Sequence, residues 1–137
     1  MPVSNDPSVV SVDAAAMREA VETTVDGNLR SLVEFDAEGY GVLYVDDLSM
    51  QFYGDESTMH AHFEKIHSYV HADFTEKAFY TEDLFPVSDR VRYIATGFDI
   101  FTVVRVYFGE EGLFVAIDRD EPVEPIVEAI EDVYEGE

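Results

Sequence analysis

The chain has 137 residues, 47% of them hydrophobic, and thirty acidic against eight basic side chains give it a formal net charge of -22. Length and apolar content suit one domain with its own core, while the lack of cysteine excludes disulfides, thiolate metal sites and a cysteine nucleophile. So acidic a surface offers phosphates no general binding site, which removes nucleic acid from the expected partners.

In dilute buffer the charge pushes the compact state apart. At about 1 M ionic strength the Debye length falls to roughly 3 Å and neighbouring carboxylates hardly sense one another. Only Lys65 and Lys77 are lysines, and the acids are spread among eight Tyr and ten Phe rather than blocked in a tail. The expectation is a folded protein adapted to molar salt. No uncharged stretch reaches the roughly 18 residues of a membrane span, and Met1 to Val12 has no basic region followed by an apolar run. A cytoplasmic protein without membrane contact is expected.

Residues 1–11, with Pro2 and Pro7, read as a loose leader, and 12–137 as a single α+β domain. Asp13 has the character of an N-cap, followed by Ala14, Met17, Val21 and Val25 along one helical stripe that stops near Gly27. From Leu29 to Phe35 the period is two, with Leu29, Ser31, Val33 and Phe35 on one face and Arg30, Leu32 and Glu34 on the other. A turn at Asp36–Gly39 returns the chain through Tyr40–Val45, so a hairpin is predicted. Asp55 or Ser57 caps a second helix running to about Val70 on Met59, Phe63, Ile66 and Val70.

Residues 71–88 lack a clear period and read as a long connection or irregular edge. Three apolar runs, Val91–Ala95, Ile100–Phe108 and Leu113–Ile117, are separated by turn residues and suggest an antiparallel meander. Asp120 is expected to cap a last helix buried through Val123, Ile126, Val127, Ile130 and Val133.

The resulting order, α-β-β-α-β-β-β-α, predicts a five-stranded, mostly antiparallel sheet with helices on both faces. This order resembles the roadblock and profilin-like architecture, in which the middle helix lies on one face and the terminal helices on the other. At sequence level, Leu29–Leu32, Tyr40–Val45 and Val104–Val115 resemble an uncharacterised family of short acidic haloarchaeal proteins. That resemblance fits the salt argument and implies no catalytic residue.

All four histidines fall between His60 and His71. On one continuous helix His60, Glu64, His67 and His71 share a stripe, and His67 with His71 has the i, i+4 spacing at which two imidazoles can share zinc or nickel. The competing reading is a solvated helix face, and no cofactor is otherwise implied. Asp118, Asp120 and Glu121 are explained as acids at a helix start. Arg90, Arg92 and Arg105 lie on neighbouring strands and could receive an anion or a partner's carboxylates, with internal ion pairing the favoured account.

No serine or lysine nucleophile stands out. The leading expectation is therefore a non-enzymatic protein-interaction or regulatory module that forms a homodimer, its partner surface lying along the edge strand near Val91 and the stretch Phe74–Phe85. A metal-binding or metal-sensing domain on the histidine helix is the second reading. A small-molecule sensor with a pocket lined by Tyr44, Tyr93 and Tyr107 is the third.

Overall fold

The structure, a computed structural model, describes residues 2–136. Its strands are β1 (Val3–Ser4), β2 (Leu29–Asp36), β3 (Tyr40–Val45), β4 (Tyr93–Gly97), β5 (Phe101–Phe108) and β6 (Glu111–Asp118). Its helices are α1 (Ala14–Val25), α2 (Asp47–Tyr53), α3 (Glu56–His67), α4 (Val70–Phe79), which runs on into a π-helical turn at Tyr80–Leu84, and α5 (Val123–Glu135). One sheet contains every strand in the order β1-β3-β2-β6-β5-β4, and each neighbouring pair is antiparallel.

The sheet is thus six-stranded rather than five-stranded, and the extra strand comes from the segment expected to be a loose leader. Val3 and Ser4 pair with Val45 and Tyr44. Two residues alternating once carry too little pattern to read as a strand. Beyond it Asn5 donates from its backbone to Leu43 O (3.0 Å) and from its side chain to Val42 O (2.9 Å).

The helices cover the two faces unequally. Met17, Val21 and Val25 of α1 and Ile126, Val127 and Ile130 of α5 close over Leu29, Leu32, Leu43, Val104, Val106, Val115 and Ile117. On the other face Met59 and Phe63 of α3 and Val70 of α4 pack on Val33, Phe35, Val42, Val45, Tyr107 and Phe114, with Phe35 stacked on Phe114 at 4.3 Å. Burial of so many branched and aromatic side chains, each contributing on the order of 1.5–3 kcal/mol, drives the fold.

Strict alternation along β2 fails for a local reason. The register with β6 shifts between Leu29 and Ser31, so Arg30 is a bulged residue. Leu29 therefore joins the core under α1 and α5, while Val33 and Phe35 belong to the core under α3 and α4.

The expected second helix is also two helices. It ends at His67, and a new one begins at Val70, the expected last residue of the second helix, and runs on through the first part of the stretch read as irregular. The pattern of α4 was hidden because its inner face carries Asp73 as well as Val70, and Asp73 is buried. Downstream, Pro122 rather than Asp120 occupies the N-cap of α5. The residue before a proline resists the α conformation, and Asp118 to Glu121 instead form a turn in which Asp120 N–H donates to the Asp118 carboxylate (3.1 Å).

Candidate functional site

β4 is the outermost strand on one side of the sheet, so half of its main-chain groups have no strand to meet. Which half follows from the ladder. Arg92 O accepts from Tyr107 N–H (3.1 Å), and Phe98 N–H donates to Phe101 O (2.8 Å). In an antiparallel pair the inward-facing residues alternate, so Ile94 and Thr96 turn their main chain into β5. The N–H and C=O of Tyr93, Ala95 and Gly97 point away from the sheet, and Ala95, Thr96 and Gly97 are exposed.

Both ends of this edge carry exposed apolar side chains. Before it, Leu84 and Phe85 are about half exposed and Val87 is 97% exposed. After it, the β4–β5 turn presents Phe98, stacked on Phe101 at 4.8 Å, and Ile100, which is 72% exposed. From Leu84 to Phe108 the charges are Arg90, Arg92 and Arg105 against Asp89 and Asp99, a slight positive excess in a chain of net charge -22.

The three arginines are held by internal acids, and they do not form a common anion site. Arg92 bonds Glu131 (2.6 Å) and Glu124 (3.3 Å) of α5, and Arg90 reaches the same Glu131 (3.1 Å). These contacts hold the Glu131 carboxyl below its ordinary pKa. Tyr93 adds a hydroxyl bond to Glu124 (2.6 Å), and the Arg92 guanidinium lies 5.6 Å from the centre of the Tyr93 ring. Arg105 belongs to the opposite face, where it pairs with buried Asp73 of α4. Beside it Lys77 donates to Gly109 O (2.9 Å) and sits 4.1 Å above the Tyr107 ring, and burial lowers its pKa. The Tyr107 hydroxyl is buried without a hydrogen-bond partner among the described residues, and its pKa is raised chiefly by burial.

The tyrosines expected to line one pocket are likewise separated. Tyr44 and Tyr93 pack on the α1/α5 side from strands near opposite edges, and Tyr107 lies in the core of the other face.

The histidine stripe is broken by the end of α3. His67 is the last residue of α3 and His71 belongs to α4, so their spacing is not that of one helix. His67 Nε2 bonds Asp36 O (2.8 Å), His62 Nδ1 meets the Tyr53 hydroxyl (2.6 Å), and His60 Nδ1 lies 3.4 Å from the Tyr40 hydroxyl. The ring contacts are therefore structural ones between α3, α2 and the β2–β3 hairpin. Among the described residues no group of three or more histidine or acidic side chains is placed to hold a metal ion, and this includes His60, Glu64, His67 and His71.

Sequence reasoning missed Glu34. Its carboxylate is 0% exposed and accepts from the successive amides of Ser8 (2.8 Å), Val9 (2.9 Å) and Val10 (3.0 Å). Gly41 stands opposite it in the ladder, and a Cβ there would lie 2.6 Å from Glu34 Oε2. Ser11 then bonds Glu111 through its amide (2.9 Å) and hydroxyl (2.7 Å). The far edge of the sheet is thereby strapped down. An open groove of about 580 Å³ there is lined by residues of the leader, of α2 and of the start of α3, with Asp47, Asp55 and Glu56 among them.

Residues 15–135 match the family described as Domain of unknown function (DUF7522). The chain belongs to this family. No curated protein matches the sequence. Among solved structures, this DUF7522 chain is similar to a Roadblock/LC7 domain from Streptomyces avermitilis, with a TM-score of 0.57 at 12% identity over 86% of this chain and 91% of that one. It is also similar to the gliding protein MglB from Thermus thermophilus, at 14% identity over 97% and 100% of the two chains, but that TM-score, 0.48, is too low to carry an argument. The first likeness shows the fold: this DUF7522 chain has a roadblock-like α+β architecture. Among the described residues no helix is long and apolar enough to cross a membrane.

Proposed function

We propose that the protein is a non-enzymatic interaction module that acts as a regulatory or scaffolding subunit, self-associates, and is adapted to a cytoplasm of molar salt. The observation that carries this reading is the β4 edge. Outward main-chain groups at Tyr93, Ala95 and Gly97 lie between the exposed apolar residues Phe85 and Val87 on one side and Phe98 and Ile100 on the other. Unpaired strand edges template pairing with another chain, and clustered exposed apolar side chains mark interaction surfaces.

Charge selects the second copy as the partner to test first. Two chains of net charge -22 approach each other only through surface that is not acidic, and the stretch that holds the β4 edge is the arginine-bearing one. Concentrated salt assists by screening the rest.

The test is light scattering after size exclusion in about 2 M potassium chloride, where the Debye length is only a few ångströms. A dimer whose mass is unchanged by added zinc supports the reading. A monomer at high protein concentration overturns it, and assembly that needs zinc transfers the role to the histidines of α3 and α4. Thermal unfolding in the same buffers is expected to shift to lower temperature as the salt is diluted, and a flat response contradicts the adaptation to salt.

A further inference from the structure

We propose that the outward face of α2 docks a segment of another protein, one that carries apolar side chains together with arginine or lysine. This adds a partner of a different kind to the interaction module proposed above. It uses a surface on the side of the sheet away from β4, so either surface can fail without the other.

The helix is held firmly although it buries little of itself. No residue of α2 is fully buried, and seven residues make too few internal bonds for a helix to persist alone. It is fixed from outside. The Asp46 carboxylate caps it by accepting from Ser49 N–H (2.9 Å), and Arg30 holds the same carboxylate (2.9 Å). Gly54 N–H closes the other end on Met50 O (2.9 Å). Met50 and Tyr53 pack against the core under α3 and α4, and the Tyr53 hydroxyl meets His62 Nδ1 of α3 (2.6 Å).

Leu48 and Phe52 stand four residues apart and therefore share one side of the helix, turned away from Met50. Leu48 is 59% exposed and Phe52 88% exposed. Paired exposed apolar side chains of this kind mark interaction surfaces, and aromatic residues are enriched in them. Because the helix is already anchored, covering the pair costs little ordering entropy.

Charge selects the partner. Asp47 precedes the pair and Asp55 and Glu56 follow it, all three exposed, and the sequence has no lysine or arginine between Arg30 and Lys65. The exposed apolar residues near β4, by contrast, share their stretch with Arg90 and Arg92. The adjoining groove of about 580 Å³ between α2 and the leader has Asp47, Gln51, Asp55 and Glu56 on its walls and gives room to long cationic side chains. With a Debye length of roughly 3 Å in molar salt, ion pairs act only at contact. The apolar pair then supplies most of the affinity and the acids the selectivity.

A second copy of the chain fits this face poorly. Setting α2 against α2 brings acid to acid. Setting α2 against the stretch near β4, whose arginines are already paired with Glu131, is a head-to-tail contact that builds rings or filaments rather than a closed pair. An anionic bilayer fits no better, since helices that lie on membranes carry lysine and arginine on their polar face.

The probe is a phage-displayed random-peptide library selected on the full chain in about 2 M potassium chloride, with the recovered peptides synthesised and titrated by calorimetry. Peptides that join apolar residues to arginine or lysine are expected. Their affinity should fall more than about tenfold on Phe52→Asp and on Leu48→Asp, and about twofold to fivefold on Gln51→Lys, which adds a cation beside the pair. Phe52→Asp should unfold at nearly the temperature of the unaltered chain, because the side chain it replaces is exposed.

Peptides that bind both aspartate variants as well as the unaltered chain, or a selection that yields none, overturn the site. Peptides that need Phe52 but lack lysine and arginine overturn the partner's chemistry. Loss of dimer mass in Phe52→Asp gives the face to a second copy, and sedimentation with phosphatidylglycerol vesicles that Phe52→Asp abolishes gives it to a bilayer; either overturns the proposal. A monomeric unaltered chain that binds the expected peptides removes the self-association and supports this site.

Discussion

The two edges of the sheet are finished in different ways. At β1 the polypeptide ties its own leader down: three successive amides converge on the buried Glu34 carboxylate, Ser11 grips Glu111, and α2 lies alongside. At β4 nothing among the described residues covers the outward main chain of Ala95 and Gly97, and exposed Phe85, Val87, Phe98 and Ile100 flank it alongside Arg90 and Arg92, Asp89 and Asp99. The first edge is closed from within and surrounded by acid, and the second is left open in the stretch that carries three of the six arginines, each paired with an internal acid.

If the strap is what closes the β1 edge, Glu34→Ala should have the largest effect. Deleting the carboxylate frees three amides and a packed volume, and a loss of about 3 kcal/mol is expected by chemical denaturation, with faster hydrogen exchange at Ser8 to Val10. Little change in either would show that the leader is held by something else. Gly41→Ala tests the same cradle from the other side. Its new Cβ would crowd Glu34 Oε2, and a cost of about 1–3 kcal/mol is expected from overpacking.

Acid probes the anchoring of the β4 side. The folded pKa of Glu131 is depressed by Arg92 and Arg90, so its contribution is fully present above the ordinary carboxylate pKa and is lost as pH falls through the lower folded value. Arg92→Met is expected to flatten that part of the acid limb in stability-versus-pH curves, and an unchanged limb would remove Glu131 as a contributor. The smallest effect on the monomer's stability belongs to Ala95→Pro, under about 1 kcal/mol, because an edge strand tolerates proline where the N–H faces outward. A larger loss would mean that Ala95 N–H already has a partner within the chain.

Much of the fold was legible because its pattern is strong and local. The stripes Met17–Val21–Val25 and Ile126–Ile130 and the β5–β6 pairing follow directly from apolar spacing, and their order led to the roadblock-like architecture. The failures have separate physical causes. A bulge at Arg30 breaks the period of β2, a buried Asp73–Arg105 pair disguises the inner face of α4, and β1 is too short to alternate.

At the candidate site the free edge near Val91 and the apolar stretch ending at Phe85 were visible in sequence, and so was ion pairing of the arginines. Which acid each arginine meets was not, since Glu131 and Asp73 lie 39 and 32 residues from Arg92 and Arg105. Glu34 looked like an outward charge on a strand. Its only sequence signal is Gly41, which becomes meaningful once the hairpin register sets the two side by side.

The strap also orders events in time. The groups that fix residues 3–11 lie downstream of them in the chain: Val45 and Tyr44 for β1, Glu34 for the three amides, and Glu111 for Ser11, 100 residues away. Contacts of such long sequence separation form late, because loop closure must be complete before they stabilise anything. During synthesis the leader therefore waits, incompletely docked, until β6 has been made, and a segment that leaves the ribosome ahead of the whole sheet is among the last to reach its place.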